Sequence, residues 1–496
     1  LLSFFLNYSM NLSGVSIFSD VIALAPEVFV WLPLVVLIFL FLLCFTRLGS
    51  HRFGGCESKP ELETFQWVCC CFAIIVSGGL LYSPTANIDL QLAKDSFSSF
   101  SVDSTAFLKL LTLACINWGP HILFLLVFWA LLTSLFLLGS DGDFHPSRAP
   151  LWLRVCLATL LLLFCMNFLF FGVFGFLDIL QVWGLSLSSF EGSLLLLFIL
   201  LTLLRLLLGK GLESGILPLG AMALLLLLFF SLFLFIFGSG EILAPKLPSV
   251  LSYSALSYVD PGSLFSSDGS GESYILEQYG ILIAWWLIYA PVLGAFLALI
   301  SKGRSLRELL FLISVVFAGL CFFFLFSASG SNLLLAVSED ASKSIEAPDP
   351  NATVRAEPAS SPKKIASVGI IWHRMLSQLP FSRATMALLG LFYLLLFLGS
   401  IYPYLYLAAH MMRDGEQASI KALKSSDLNF LCYTMGFVLS ALLALKGTSL
   451  SPSLLFVFQN LVFLALPSLL IHLKAISWLL RRYLPRVLSS SSNYSS

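Results

Sequence analysis

Apolar residues along this chain gather into runs of about twenty separated by short polar connections, without the two-residue alternation of half-buried strands. The runs lie near 27–46, 65–82, 112–138, 151–177, 190–208, 215–238, 278–300, 309–327, 385–409, 428–446 and 453–473. A segment that leaves water must satisfy its own backbone hydrogen bonds, and the helix is the open-chain way to do so. The pattern predicts an all-α integral membrane protein of about eleven transmembrane helices. Two segments interrupt it. Residues 240–275 hold several Ser, Gly and Pro, and 338–368 carry Glu339, Asp340, Pro348, Pro350, Pro358 and Pro362. Both are expected outside the bilayer, the first as an outer loop and the second as a polar insertion.

Composition agrees with the pattern. With 58% hydrophobic and 11% charged residues and a mean hydropathy of +0.95, the chain has too little polar surface to coat a water-soluble globule. Its 27 Lys+Arg balance 27 Asp+Glu, so there is no global field to hold nucleic acid. Charge placement says more. Alternate connections carry Arg47, Arg52 and Lys59, then Arg148, Lys210, Lys302, Arg304 and Arg307, then Arg413, Lys421 and Lys424. The opposite connections carry mainly Asp89, Asp95, Asp103, Asp178, Glu191, Asp260, Asp268 and Glu272. By the positive-inside rule the basic side faces the cytoplasm or matrix. The ten Cys and six His show no ligand spacing, so neither a metal, a cofactor nor a disulfide framework is expected. No nucleophile–base grouping and no intramembrane carboxylate pair points to an enzyme. The first residue is Leu1, so a processed or incompletely represented start is expected.

Several short motifs then fall in one order. IAWWLIYAPVLGAFLALISKGRSLREL at 283–309 runs a Trp-rich helix through Pro291 and Gly294 into a basic loop. RLGSHRFGGCESKPELETFQW lies at 47–67, NWGPH at 117–121, LQVWGL at 180–185, GKGLESGI at 209–216, LSQLP at 376–380 and ALP at 465–467. Together they resemble the betaine/choline/carnitine transporter family. The resemblance implies a leucine-transporter-like fold: two inverted five-helix repeats with a solute site at the midplane, where helices are broken. It divides the chain into an N-terminal segment with the first membrane helix (1–63), a first repeat (64–208), a second inverted repeat (209–446) holding the outer loop and the insertion, and a last membrane helix with an inner tail (447–496).

The same resemblance implies site residues. A quaternary ammonium has no proton to donate, so a protein holds it on the negative faces of aromatic rings within about 6 Å. Trp118, Trp285, Trp286 and Tyr289 match cage positions of the family, whereas Leu123 and Leu126 stand where it has further rings. The Gly-rich stretch that unwinds the first repeat helix falls on Ile75-Val76-Ser77-Gly78-Gly79. The partner motif Thr-Ser-x-Asp-Ser falls on Gly399-Ser400-Ile401-Tyr402-Pro403. Ser77, Gly79 and Ser400 are the remnants of a sodium site. With half the box aliphatic and most hard oxygen ligands gone, the sequence is read as a transport-inactive scaffold, a pseudo-transporter serving as accessory subunit of a larger membrane complex. The mitochondrial inner membrane, in a respiratory assembly, is its expected setting, with the plasma membrane otherwise. The alternative is an active, sodium-independent secondary transporter of a quaternary ammonium or zwitterionic solute such as betaine, choline or carnitine. The lipid bilayer is a partner in either case.

Overall fold

The computed structural model describes residues 26–55, 57–76, 80–81, 105–136, 190–259, 289–345 and 368–411, with Trp286 and scattered positions between 161 and 184. Each is helix or short connection, and the chain is an all-α, multi-pass membrane protein. Its helices are α1 (Pro26–Cys44), α2 (Thr64–Ile75), α3 (Thr105–Ile116), α4 (Pro120–Phe136), α5 (Phe190–Gly209), α6 (Leu217–Leu234), α7 (Leu247–Val259), α8 (Tyr289–Ile300), α9 (Leu306–Phe311), α10 (Ala318–Ile345), α11 (Val368–Ser377) and α12 (Ser382–Met411). Among the described residues five stretches are long and apolar enough to cross a bilayer: Phe107–Leu135, Gly192–Gly209, Ser214–Gly238, Leu306–Ser338 and Ser382–Leu407. Shorter apolar helices cover Leu34–Cys44, Thr64–Ile75 and Tyr289–Ile300. Along 151–177 the helical residues Leu161, Cys165, Leu169 and Val173 are all buried, the four-residue spacing of one helix face. The expected spans at 428–446 and 453–473 lie outside the described residues.

Burial separates central helices from peripheral ones. Inside the structure 94% of the apolar window of Phe107–Leu135 is buried, against 44% for Gly192–Gly209. The first therefore runs through the centre, and α5 offers Leu195, Phe198 and Ile199 outward, as a lipid-facing helix does. α2 is also central, packed between α6 and α12. At the α12 crossing Gly399 lies against the backbone carbonyl of Ala73, where a Cβ would leave no room.

Several boundaries differ from the sequence expectation for local reasons. α6 continues through a π turn at Phe235–Ser239 and short turns at Gly240–Leu243 and Ala244–Lys246 into α7, so the outer loop is helical as far as Val259. Pro245 and Pro248 are no obstacle, since each sits in the first turn of its element, where the missing N–H costs nothing. α10 likewise runs to Ile345 before the insertion's remaining residues, 346–367, leave the described part.

On the basic face two connections distant in sequence form one unit. Phe53 N–H donates to Arg304 O at 3.0 Å, Gly303 N–H to Phe53 O at 2.8 Å, and Leu306 N–H to His51 O at 2.9 Å. Arg304 donates to Leu62 O (3.0 Å) and Thr64 Oγ1 (3.1 Å), and its guanidinium lies 5.1 Å from the Trp67 ring centroid. Trp67 Nε1 donates to Ser301 Oγ at 3.0 Å. Lys302 pairs with Glu61 at 2.7 Å, and Arg307 Nε donates to Cys44 O at 2.7 Å, closing the end of α1. Ser305 and Glu308 then cap α9 reciprocally. Gly303 has φ +77°, and a Cβ there would collide with the Lys59–Pro60 peptide, so only Gly fits. The two most motif-rich stretches of the sequence are thus the two halves of one clamp, on the side where charge counting puts them.

Candidate solute site

Three broken or bent helices converge near the centre. α2 stops at Ile75, Val76 turns to extended backbone (φ −83°, ψ 93°), and helical geometry resumes at Leu80 and Leu81. A break is therefore present although Ile75, a β-branched residue, fills the first of the family's Gly positions: Ile75 is the last helical residue and the chain leaves helical geometry at Val76. Trp372 of α11 fixes the far side, donating from Nε1 to Leu81 O at 2.9 Å. Between α3 and α4 the turn Asn117-Trp118-Gly119 interrupts the helix, and Pro120 starts the next one. In α12, Pro403 lies inside the helix, where its missing N–H deprives the Gly399 carbonyl of its usual donor.

The rings gather at these irregular points. Trp118 meets Trp286 edge to face, centroids 5.0 Å apart at 87°, and both are buried. Tyr289, one turn beyond Trp286, meets Tyr404 of α12 edge to face at 6.1 Å and 85°. The structure brings together Trp118, Trp286 and Tyr289 of the expected cage. Trp285 lies outside the described residues, as do Ser77 and Gly79. Leu123 and Leu126 are fully buried aliphatics, so those walls are absent, as the sequence implies.

Sequence reasoning missed Tyr404. The signal was present in Tyr402-Pro403-Tyr404-Leu405-Tyr406, three phenols in an apolar helix, read only for what it lacked in sodium ligands. Tyr404 supplies a ring from a third helix beside Tyr289. Ser400, the sodium-site remnant on α12, is buried one turn before Tyr404 and donates from Oγ to Phe397 O at 2.9 Å. Ile401 and Pro403, its neighbours in the motif, bring no side-chain oxygen. Among the described residues no group of three His, Cys, Asp or Glu could hold a metal ion.

The arrangement suits a small cation. Edge-to-face rings expose further faces of negative potential, and desolvated cation–π contacts are each worth about 2 kcal/mol.

Comparison with known proteins agrees with this chemistry. The chain matches the family model described as BCCT, betaine/carnitine/choline family transporter, over residues 3–149 and 169–484. It is 23% identical over 338 residues to a probable glycine betaine transporter of Desulfitobacterium hafniense, covering 62% of this chain and 65% of that protein. It is 25% identical over 317 residues to a glycine betaine/proline/choline/ectoine transporter of Vibrio parahaemolyticus, covering 58% and 54%. A third relative, an uncharacterized transporter of Haemophilus influenzae, is 26% identical and covered to 44%. The chain thus spans about half the length of the curated relatives it matches. Among solved structures it superposes on MhsT in complex with L-phenylalanine (TM-score 0.45, 13% identity, 79% of this chain and 82% of that) and on a Na+-coupled sialic acid symporter (TM-score 0.46, 12% identity, 90% and 84%).

These matches correct the expectation of a pseudo-transporter. The inference of an inactive accessory subunit in a mitochondrial respiratory complex rested on counting lost ligands in sequence. The relatives are transporters, Tyr404 of α12 brings a ring to Tyr289, and α2 is interrupted at Val76. The family moves solutes and is not enzymatic. On a family match that covers most of its length, this chain belongs to the betaine/carnitine/choline transporter family.

Proposed function

We propose that the protein is an active secondary transporter of a small quaternary ammonium or zwitterionic solute, of the betaine, choline or carnitine kind, working without sodium. The observation that carries this reading is the buried group of four rings, Trp118 against Trp286 and, one turn on, Tyr289 against Tyr404, drawn from the α3–α4 turn, the α8 region and α12. In this reading the chain spans the membrane about eleven times, as two inverted five-helix repeats over 64–208 and 209–446, and Trp285 joins the ring wall. The clamp on the basic face ties α1, α2, α8 and α9 into a body that rocks against the remaining helices, exposing the rings to either side in turn. Sodium independence follows from the thin set of hard oxygens around Ser400. Ser77 and Gly79 complete what is left of that site.

The test is counter-flow in proteoliposomes with labelled glycine betaine, choline and carnitine. Saturable exchange of at least one solute is expected, unchanged when Na+ is replaced by K+ and reduced by at least about 100-fold in Trp286→Ala, whose lost face cannot be replaced by water. Exchange indistinguishable from empty vesicles overturns the proposal.

A further inference from the structure

Beside the four rings, on the same helices α8 and α12, lies a second tier of rings. Phe296, two turns after Tyr289 on α8, meets Tyr402 edge to face at 6.1 Å and Tyr406 at 5.4 Å. Tyr402 and Tyr406, one turn apart on α12, stack at 6.0 Å and 16°. Gly399, three residues before Tyr402, touches Ala73 of α2. The tier therefore stands where α2, α8 and α12 meet, on the basic-face side of the break at Val76.

Tyr402 is fully buried, and its Oη has no hydrogen-bond partner among the described residues. A phenol buried without a partner destabilises the fold, and Phe would fill the same space without that cost. The hydroxyl therefore points to a partner that the described residues do not supply. The described polar groups near it are the Tyr406 phenol and the Cys70 thiol, both neutral, and neither hydrogen-bonds Tyr402 Oη. Ring faces attract a cation; a neutral phenol donates most strongly to an anion. One small molecule that satisfies both is a zwitterion carrying a quaternary ammonium and a carboxylate.

We propose that Tyr402 is a specificity-determining residue of an inner subsite on the solute path, where Phe296 and Tyr406 take the ammonium and Tyr402 Oη–H donates to the carboxylate. The subsite is closed in this structure, with all three side chains buried, and opens as α12 and α8 part. The inference rests on the transport reading and narrows it: carboxylate-bearing solutes are passed in preference to choline.

The test uses the full chain in proteoliposomes and the variant Tyr402→Phe, which removes one oxygen and keeps the ring. The kcat/KM for glycine betaine counter-flow is expected to fall about 10-fold and that for choline less than about 3-fold, the difference between a charged and a neutral acceptor. Thermal stability of the variant in detergent should equal or exceed that of the parent. An unchanged ratio, or an equal fall for both solutes, overturns the subsite. If the parent exchanges neither solute, the transport reading fails instead, and thermal-shift protection by glycine betaine then decides the subsite: protection that Tyr402→Phe removes supports it, and its absence overturns it.

Discussion

The clamp on the basic face and the ring cluster at the centre hold their residues by different physics. The clamp is polar and built on the backbone: Arg304 on Leu62 O, Arg307 on Cys44 O, Gly303 on Phe53 O. Each contact has one geometry, and Gly303 admits one residue type. The cluster is held by ring contacts at 5.0 and 6.1 Å, where orientation is loose, each pair adds only about 0.5–1.5 kcal/mol beyond its buried area, and a ring can come from any neighbouring helix. A clamp of this kind tolerates little substitution. A cluster of this kind can be rebuilt from another helix and still present faces to a cation. Strictness of local pattern therefore tracks geometric constraint, and it is a poor guide to whether the solute site works.

Substitutions in the clamp should sharpen the contrast. The largest effect is expected from Gly303→Val, which forces a β-branched residue to φ +77° against the Lys59–Pro60 peptide. With both strain and backbone collision at one position, no folded monodisperse protein should be recovered on size-exclusion chromatography; recovery at parental yield would contradict the clamp's role. Arg304→Met should cost about 2–3 kcal/mol, since two carbonyl or hydroxyl acceptors lose a charged donor and Trp67 loses its cation. Its thermal midpoint should drop by several degrees, while exchange per folded molecule stays within about 2-fold. That outcome inverts the one expected of Trp286→Ala.

The smallest effect concerns pH. His51 lies in the clamp with Nε2 3.0 Å from Ser134 Oγ of α4, and burial lowers its pKa from the usual value. The folded state then binds a proton less readily than the unfolded one. Its stability is complete above the unfolded value of about 6.5 and declines as pH falls from there toward the folded value. The midpoint should fall over that window, and His51→Gln should flatten the slope; an identical slope in the variant would remove His51 as its cause.

Much of the architecture was legible in the sequence because hydrophobic run length and charge sidedness are nearly the whole physics of a spanning helix. Pro26–Cys44, Phe190–Gly209 and Ser382–Met411 fall within a few residues of the expected spans at 27–46, 190–208 and 385–409. The helical course of 240–259 was hidden by Ser and Pro, which count as loop formers yet are harmless in first turns or when bonded to a preceding carbonyl, as Ser254 is to Val250 O at 2.7 Å. Of the rings singled out from motifs, Trp118 and Trp286 are in contact and Tyr289 meets Tyr404. No linear spacing links α12 to α8, so Tyr404 was not singled out, and the β-branched Ile75 did not keep α2 helical because a residue's average stiffness does not fix where a helix ends when tertiary contacts such as Trp372 to Leu81 hold the far side.

The most direct test of transport through an aromatic site is counter-flow of labelled glycine betaine in proteoliposomes holding either the parent chain or Trp286→Ala. Saturable exchange is expected in the parent and none above background in the variant; equal exchange in both, or none in the parent with any of the three solutes, is incompatible with such a site.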